Sequence, residues 1–274
     1  MIIWFKAVTP IFSLLLMLAV SGGFVAPAAA GPIDEASAAY DQGDYATVLR
    51  LIRPLAEQGS AIAQHTLGVM YFNGQGVPQS DAEALKWGLL AADQGLADAQ
   101  SAVGFLYSSG RGVPHDDSEA VRWFRLAAEQ GAPIAQLNLA ASYLYGLGVA
   151  RNAVEAAQWY RRAADQGLAA AQHMLGTMYE VGNGVPQDHA EAAKWLRHAA
   201  DQGDAQAQYL LAGLYFQGFG VSESYVNAYM WLDLSVAGGY PSAKAARDEV
   251  ARSMTAADIA EAQRLAREWR PTTR

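Results

Sequence analysis

Residues 63–78 read AQHTLGVMYFNGQGVP, and residues 81–95 read DAEALKWGLLAADQG. The same pattern begins again every 36 residues, at Ala99, Ala135, Ala171 and Ala207, and a partial copy opens at Ala243. Self-similarity at such a period is typical of solenoids, in which each unit is too small to bury its apolar face alone and stacks on its neighbours. The sequence therefore predicts an all-α solenoid of helix–turn–helix repeats.

The first segment of each copy is predicted to be a helix over the positions of residues 63–73. Leu67 and Tyr71 lie on one side of such a helix, because successive residues are about 100° apart. Gly74 and Gly76 follow this segment, and both glycines recur in every full copy. A glycine directly after a helix supplies the left-handed conformation that ends it, so these residues place the turn.

The second segment of each copy begins at a residue type that favours helix N-termini, and four copies have Glu three residues later, as in a capping box. The residues at this start are Ser80, Asp116, Asn152, Asp188 and Ser224. One tryptophan and one tyrosine recur per copy at fixed phase, which predicts a packing role in the core. These are Trp87, Trp123, Trp159, Trp195 and Trp231, with Tyr71, Tyr107, Tyr143, Tyr179 and Tyr215. On the outer face we predict charge pairs four residues apart, namely Arg125 with Glu129, Arg161 with Asp165 and Arg197 with Asp201.

The N-terminal residues predict export. Lys6 is the only charged residue in residues 1–30, an apolar run follows over residues 11–20, and Ala28-Ala29-Ala30 provides an A-x-A site. This is the layout of a secretory signal peptide, and we expect cleavage after Ala30. The alternative is an uncleaved membrane anchor, although the apolar run is short for a span, which needs about 20 residues.

Composition restricts the kinds of partner. The chain carries 27 acidic and 19 basic side chains, a formal net charge of −8, which disfavours binding to nucleic acid or anionic lipid. It has no Cys, so a disulfide framework and a lipidated cysteine at the cleavage site are both excluded. We expect an exported, periplasmic or secreted monomer that has no membrane contact after signal cleavage.

The repeated residues resemble Sel1-like repeats, which are relatives of tetratricopeptide repeats. The family pattern A-x-x-x-L-G-x-x-Y-x-x-G-x-G-V, followed by A-x-x-W-[YF]-x-x-A-A-x-Q-G, is met from residue 63 to residue 239 with few departures. Ala140 and Ala212 replace the glycine after the leucine, and Ala150 and Ser222 replace the proline. The resemblance implies a right-handed α-solenoid that acts as an adaptor for other proteins. Some exported members are Cys-rich and have been described as penicillin-binding or β-lactamase-like, a branch that this Cys-free chain matches poorly.

We divide the chain into a signal peptide, five full repeats and two incomplete flanking units. Residues 31–62 are predicted to be an N-terminal capping unit similar to a tetratricopeptide repeat. The full repeats occupy residues 63–98, 99–134, 135–170, 171–206 and 207–242. Residues 243–274 form a partial repeat and a capping helix, which begins at Thr255 and has Asp258 at the capping-box position.

The sequence contains no recognisable catalytic motif. No Ser is followed three positions later by Lys, and G-x-S-x-G, H-E-x-x-H and Walker patterns do not occur. His65 and His173 occupy equivalent positions, but they lie three repeats apart, too far to share a metal ion. We therefore predict no catalytic residues, no cofactor and no metal site.

Positions that vary between copies are where we expect partner recognition. On the first helix these positions lie opposite Leu67, and by analogy with related superhelices they would line a concave groove. The predicted groove residues are His65, Val69, Phe72, Phe105, Leu137, Leu144, His173, Tyr209 and Phe216. The alternative is that neighbouring first helices cover these side chains, so that they are simply core.

These observations predict a non-enzymatic scaffold that binds a peptide or protein partner on its concave surface. Envelope signalling, exopolysaccharide assembly and secretion are roles that would fit. Two alternatives remain open, a β-lactamase-like or cell-wall-active enzyme and a membrane-tethered adaptor.

Overall fold

The computed structural model of the protein describes residues 31–272, so the predicted signal peptide in residues 1–30 lies outside the described residues. Residues 31–272 form fourteen helices and no strand, which confirms the predicted all-α fold. The helices are α1 (Pro32–Asp41), α2 (Tyr45–Glu57), α3 (Ala61–Asn73), α4 (Asp81–Ala92), α5 (Ala97–Ser109), α6 (Asp117–Glu129), α7 (Pro133–Tyr145), α8 (Ala153–Asp165), α9 (Ala169–Val181), α10 (His189–Asp201), α11 (Ala205–Gln217), α12 (Tyr225–Ala237), α13 (Ala243–Ala251) and α14 (Ala256–Glu268). The first helix of each full repeat begins two residues earlier than predicted.

The chain divides into two compact units, and the division falls between Gln94 and Gly95. In the first unit, α1 packs against α2, α2 against α3, and α3 against α4. Its core includes Val48, Ile52 and Leu67, which are almost completely buried. The first unit is thus two helical hairpins that share one apolar core.

The second unit contains four further hairpins, which pair α5 with α6, α7 with α8, α9 with α10, and α11 with α12. The second helix of each of the first three pairs also packs on the first helix of the next pair. Leu139, Leu175 and Leu211 come from successive first helices and are fully buried between these layers. Both α13 and α14 pack against α12. Hairpins stacked in this way form an α-solenoid, as the repeat predicted.

Glycines allow the loops between helices to pass close to the backbone of the preceding repeat. Gly148 has φ 65°, and a Cβ placed there would lie 2.1 Å from the carbonyl oxygen of Asp117. Gly184 and Gly220 are placed in the same way against the start of the second helix before them. The second glycine of the G-x-G pair is therefore required both by its conformation and by the close approach.

In the described residues no direct ion pair joins the partners predicted four residues apart on the second helices, although the charge of Arg197 offsets part of the rise that burial causes in the pKa of Asp201. Instead, the guanidinium of Arg125 donates to the hydroxyl of Tyr143, 3.0 Å away on the first helix of the next repeat. Equivalent bonds join Arg53 to Tyr71, Arg161 to Tyr179 and Arg197 to Tyr215. The tyrosines are half-buried, because their hydroxyls stay at the edge of the core to receive these bonds.

The glutamates near the start of the second helices do not close capping boxes. Ser80 accepts from the backbone N–H of Glu83 as an N-cap should, but the Glu83 carboxylate accepts from the indole Nε1 of Trp87, 3.1 Å away. Glu191 holds Trp195 in the same way. The tryptophans themselves are buried or half-buried in the described chain, in agreement with the predicted core role.

Two glutamines in each of the first four full repeats form a hydrogen bond with each other, a contact that was not among the predictions from the sequence. Gln172 of α9 is buried, and its Nε2 donates to the carbonyl of Ala164 at 3.1 Å. Its Oε1 accepts from Nε2 of Gln202 at the end of α10, 2.7 Å away. The same pairing joins Gln94 to Gln64, Gln130 to Gln100, and Gln166 to Gln136. These bonds satisfy the polar atoms of buried side chains and link each hairpin to the helix before it.

Candidate functional site

The structure places most of the predicted groove residues at intermediate depth. Phe216 is exposed, while His65, Val69, Phe72, Phe105, Leu137 and Tyr209 are half-buried. Leu144 and His173 are buried, with 6% and 4% of their surface exposed. For these two side chains the structure follows the alternative in which neighbouring helices cover them. A role for the nine residues in partner binding stays a prediction.

His173 is buried because it faces the start of α11. Its Nδ1 lies 3.6 Å from Oδ1 of Asp204, which caps α11 by accepting from the N–H of Ala207. Burial alone would raise the pKa of the Asp204 carboxyl, but the hydrogen bond and charge of His173 and the helix N–H groups bring that pKa below its ordinary value. His173 therefore anchors one repeat to the next.

A recess of about 370 Å³ opens beside Leu144 in the second unit. Its lining comes from the end of α7, from α9 and from the loops that follow these helices. The lining residues are Leu144, Tyr145, Arg151, Met174, Thr177, Met178, Val181 and Asn183. Leu144 is one of the predicted groove residues, and Thr177 occupies the position that Val69 has in the first repeat. The recess thus brings together two of the variable first-helix positions.

This recess is lined by the two most exposed large apolar side chains of residues 31–272. Tyr145 is 59% exposed and Val181 is 63% exposed. They are the last residues of α7 and α9 and occupy equivalent positions in consecutive repeats. The other full repeats have polar residues at this position, namely Asn73, Ser109 and Gln217. Sequence comparison between copies could have identified this position, because packing does not require an apolar residue there.

Arg151 contributes a positive charge to the same recess. At the equivalent position Gln187 donates to the carbonyl of Glu180 at 2.8 Å and so caps the end of α9, and Gln79 makes the same bond to Phe72. Arg151 is exposed, and within residues 31–272 its guanidinium has no ion pair or side-chain hydrogen bond. The cation is therefore available to a group from outside the chain.

Two aromatic residues of the predicted groove, Tyr209 and Phe216, pack against other rings and do not line this recess. The rings of Tyr209 and Tyr240 are 4.9 Å apart, and those of Phe216 and Tyr225 are 5.4 Å apart. Each cluster joins a first helix to a residue later in the chain. Packing inside the second unit thus accounts for much of the burial of these side chains.

Among the described residues, Glu180 has a shifted pKa and lies next to the recess-lining residue Val181. The pKa of Glu180 is raised by burial, an effect that the charge of His189 partly offsets. Within residues 31–272 no cluster of His, Asp and Glu has the arrangement of a metal site. In the same part of the chain, none of the helices combines the length and apolar character needed to cross a bilayer.

Comparison with known proteins gives a consistent assignment. The Sel1 repeat family matches residues 61–96, 97–131, 133–168, 169–204 and 205–240. These segments start at or close to the first helix of each repeat. No curated protein sequence matches this chain.

Two solved structures show the same fold at substantial sequence identity. One is a protective antigen of uropathogenic Escherichia coli strains that displays an SLR fold, 35% identical over 87% of this chain, with a TM-score of 0.77. This chain covers 54% of that protein, about half its length. The other is a Sel1 repeat protein from Oxalobacter formigenes, 33% identical over 76% of this chain and 86% of its own, with a TM-score of 0.70.

Proposed function

The chain belongs to the Sel1 repeat family, and from this premise we propose that it is an exported scaffold that holds a protein or peptide partner on its first-helix surface. Sel1 repeat proteins generally mediate protein–protein interaction, and the solenoids are typically non-catalytic. The partner here would be bound in the second unit, at the ends of α7 and α9.

The observation that carries this proposal is the exposure of Tyr145 and Val181 beside a recess. Apolar side chains that packing does not require, and that are grouped around a concavity, are characteristic of interaction surfaces. Three other repeats fold with polar residues at the same position. The two apolar residues therefore serve something other than the stability of the solenoid.

Export is proposed from the pattern of residues 1–30, with its single Lys6, apolar run and alanine site. Sequencing the N-terminus of the protein isolated from the cell envelope should find a start at Gly31. Recovery of a chain that begins at Met1 in the membrane fraction would contradict cleavage and favour the tethered adaptor.

Photocrosslinking in producing cells tests the binding surface directly. A photoreactive phenylalanine replaces Tyr145 or Val181 in two variants and Leu126 in a control. Leu126 is an exposed apolar residue near the end of the second helix α6 and does not line the recess. We expect a protein adduct of one defined mass at the two test positions and none at Leu126.

The crosslinking result can also contradict the proposal. Adducts of equal yield at all three positions would indicate collisions with no preferred surface. A further variant carries the photoreactive residue at Phe216, the exposed residue of the predicted groove. The absence of adducts at Tyr145, at Val181 and at Phe216 would show that this face holds no partner.

A further inference from the structure

We propose that the recess at the ends of α7 and α9 receives one bulky apolar side chain of the partner, and that Arg151 pairs with a carboxylate on the neighbouring residue of that partner. This inference rests on the proposed scaffold function and specifies the chemistry of what is bound. The recognised element is thus an apolar residue adjacent to Asp or Glu.

The size and lining of the recess suit a single large side chain. Its volume of about 370 Å³ is at the lower end of the range of small-ligand sites, about 300–1,000 Å³. Met174 and Met178 lie along α9, and Leu144 closes the recess from α7. Methionine side chains adapt to the shape of an inserted group, and their sulfur atoms make favourable contacts with aromatic rings.

Among the five full repeats, the last residue of the first helix is apolar only in α7 and α9, the two helices that line the recess. Tyr145 and Val181 replace the polar residues of the other copies, so a side chain entering the recess would cover two surfaces that now face water. Burial of this apolar area on binding provides a favourable free energy that does not depend on the partner's backbone. Tyr145 and Val181 thus account for the preference for an apolar side chain of the partner.

Arg151 supplies the selectivity for charge. The chain as a whole is acidic, so an acidic partner is repelled by most of the surface. The guanidinium of Arg151 has no acidic partner of its own and lies beside Met174, Met178 and Leu144. It therefore attracts a carboxylate at this one place on the surface. Charge-assisted hydrogen bonds from Arg to a carboxylate strengthen as water is displaced from around them. Asn183 lines the same recess and has an amide that can donate to the second carboxylate oxygen.

Methyl NMR of the full chain labelled at methionine is a direct test, since two methionines line the recess. The probe is the dipeptide N-acetyl-Trp-Glu-amide, with N-acetyl-Trp-Gln-amide and N-acetyl-Gly-Glu-amide as controls for charge and for the apolar group. We expect the methyl signals of Met174 and Met178 to shift on titration with the first probe. Met70 and Met230 lie outside the recess lining and should not shift.

Variants taken from the other copies separate the two parts of the proposal. Arg151→Gln introduces the residue of positions 79 and 187, and we expect it to weaken binding of the acidic probe about tenfold while leaving the glutamine probe unchanged. Tyr145→Ser combined with Val181→Gln, also residues of other copies, should weaken both tryptophan probes. Arg267→Gln on α14 is the control for a general loss of positive charge and should change nothing.

The inference is overturned if the acidic and neutral tryptophan probes bind equally in the unaltered protein, or if Met174 and Met178 do not shift at roughly 1 mM probe. If this happens while the crosslinked adduct at Tyr145 persists, the scaffold function stands and only the assigned chemistry fails. Loss of the adduct with intact probe binding would instead contradict the proposed function.

Discussion

At the scale of single residues, the turn glycines determine how closely one repeat approaches the next. Gly148 has a positive φ, and its Cα faces the backbone of Asp117. Gly131 also has a positive φ, of 96°, but a Cβ there would have no atom within 4 Å. Both positions therefore require a positive φ, but only at Gly148 would an added Cβ collide with neighbouring backbone.

We predict that Gly148→Ala lowers the free energy of unfolding by about 3 kcal/mol, while Gly131→Ala lowers it by about 1 kcal/mol. The difference arises because the alanine at residue 148 must push away the backbone of the preceding repeat. Urea denaturation followed by circular dichroism measures both values. Equal losses in the two variants would show that the close approach contributes nothing.

A second residue-scale prediction concerns pH. The folded pKa of Asp204 lies below its unfolded value, so its charged form stabilises the folded state. This contribution is complete above pH of about 4 and is lost as the pH falls through the folded pKa. Asp204→Asn keeps an N-cap acceptor but removes the charge, so we expect a loss of roughly 1 kcal/mol at pH 7 and a smaller difference at pH 3. Urea midpoints at the two pH values test this, and a difference that is independent of pH would contradict it.

At the scale of elements, hydrogen bonds between repeats supplement the apolar contacts. The predicted i,i+4 charge pairs do not form direct ion pairs, because the neighbouring helix offers the arginine a tyrosine hydroxyl, as Tyr143 does for Arg125. The pattern of a single helix contains no information about such a partner. The glutamines show the same effect. Gln172 is spaced so that it reaches the carbonyl of Ala164 and the amide of Gln202, one on each side of its own helix.

We predict that Gln172→Leu destabilises the protein by about 1 kcal/mol, because it removes the two hydrogen bonds of a buried amide, while the Ala164 carbonyl and the Gln202 amide each keep another partner. Gln158→Leu is a matched control on the exposed face of α8 and should change stability by no more than about 0.5 kcal/mol. Thermal unfolding monitored by circular dichroism compares the two. A loss at Gln172 no larger than that at Gln158 would show that the network is incidental.

At the scale of the whole molecule, the division between Gln94 and Gly95 separates two units that each have an apolar core. Stability in a solenoid is the sum of repeat terms and nearest-neighbour terms, so a unit with enough repeats can fold alone. We predict that a fragment of residues 95–274 is helical and unfolds cooperatively. Circular dichroism and urea titration of the purified fragment test this, and a gradual transition without a folded baseline would contradict it.

The fold could be predicted because its determinants are local and repeated. A helix of each repeat is encoded within about a dozen residues, its end is marked by a residue such as Gly74, and the 36-residue step requires the hairpins to stack. Periodicity distinguishes residues needed for packing from residues free to vary.

The location of the candidate site could not be predicted from the sequence, because the exposure of a side chain is determined by the neighbouring helices and not by the helix that carries it. Leu144 and Phe216 occupy equivalent positions, yet the first is buried and the second exposed. Tyr145, Val181 and Arg151 were absent from the predicted groove, although their positions vary between copies as strongly as the predicted ones do. Whether such side chains meet around one recess depends on distances between helices, and periodicity along the chain carries no information about those distances.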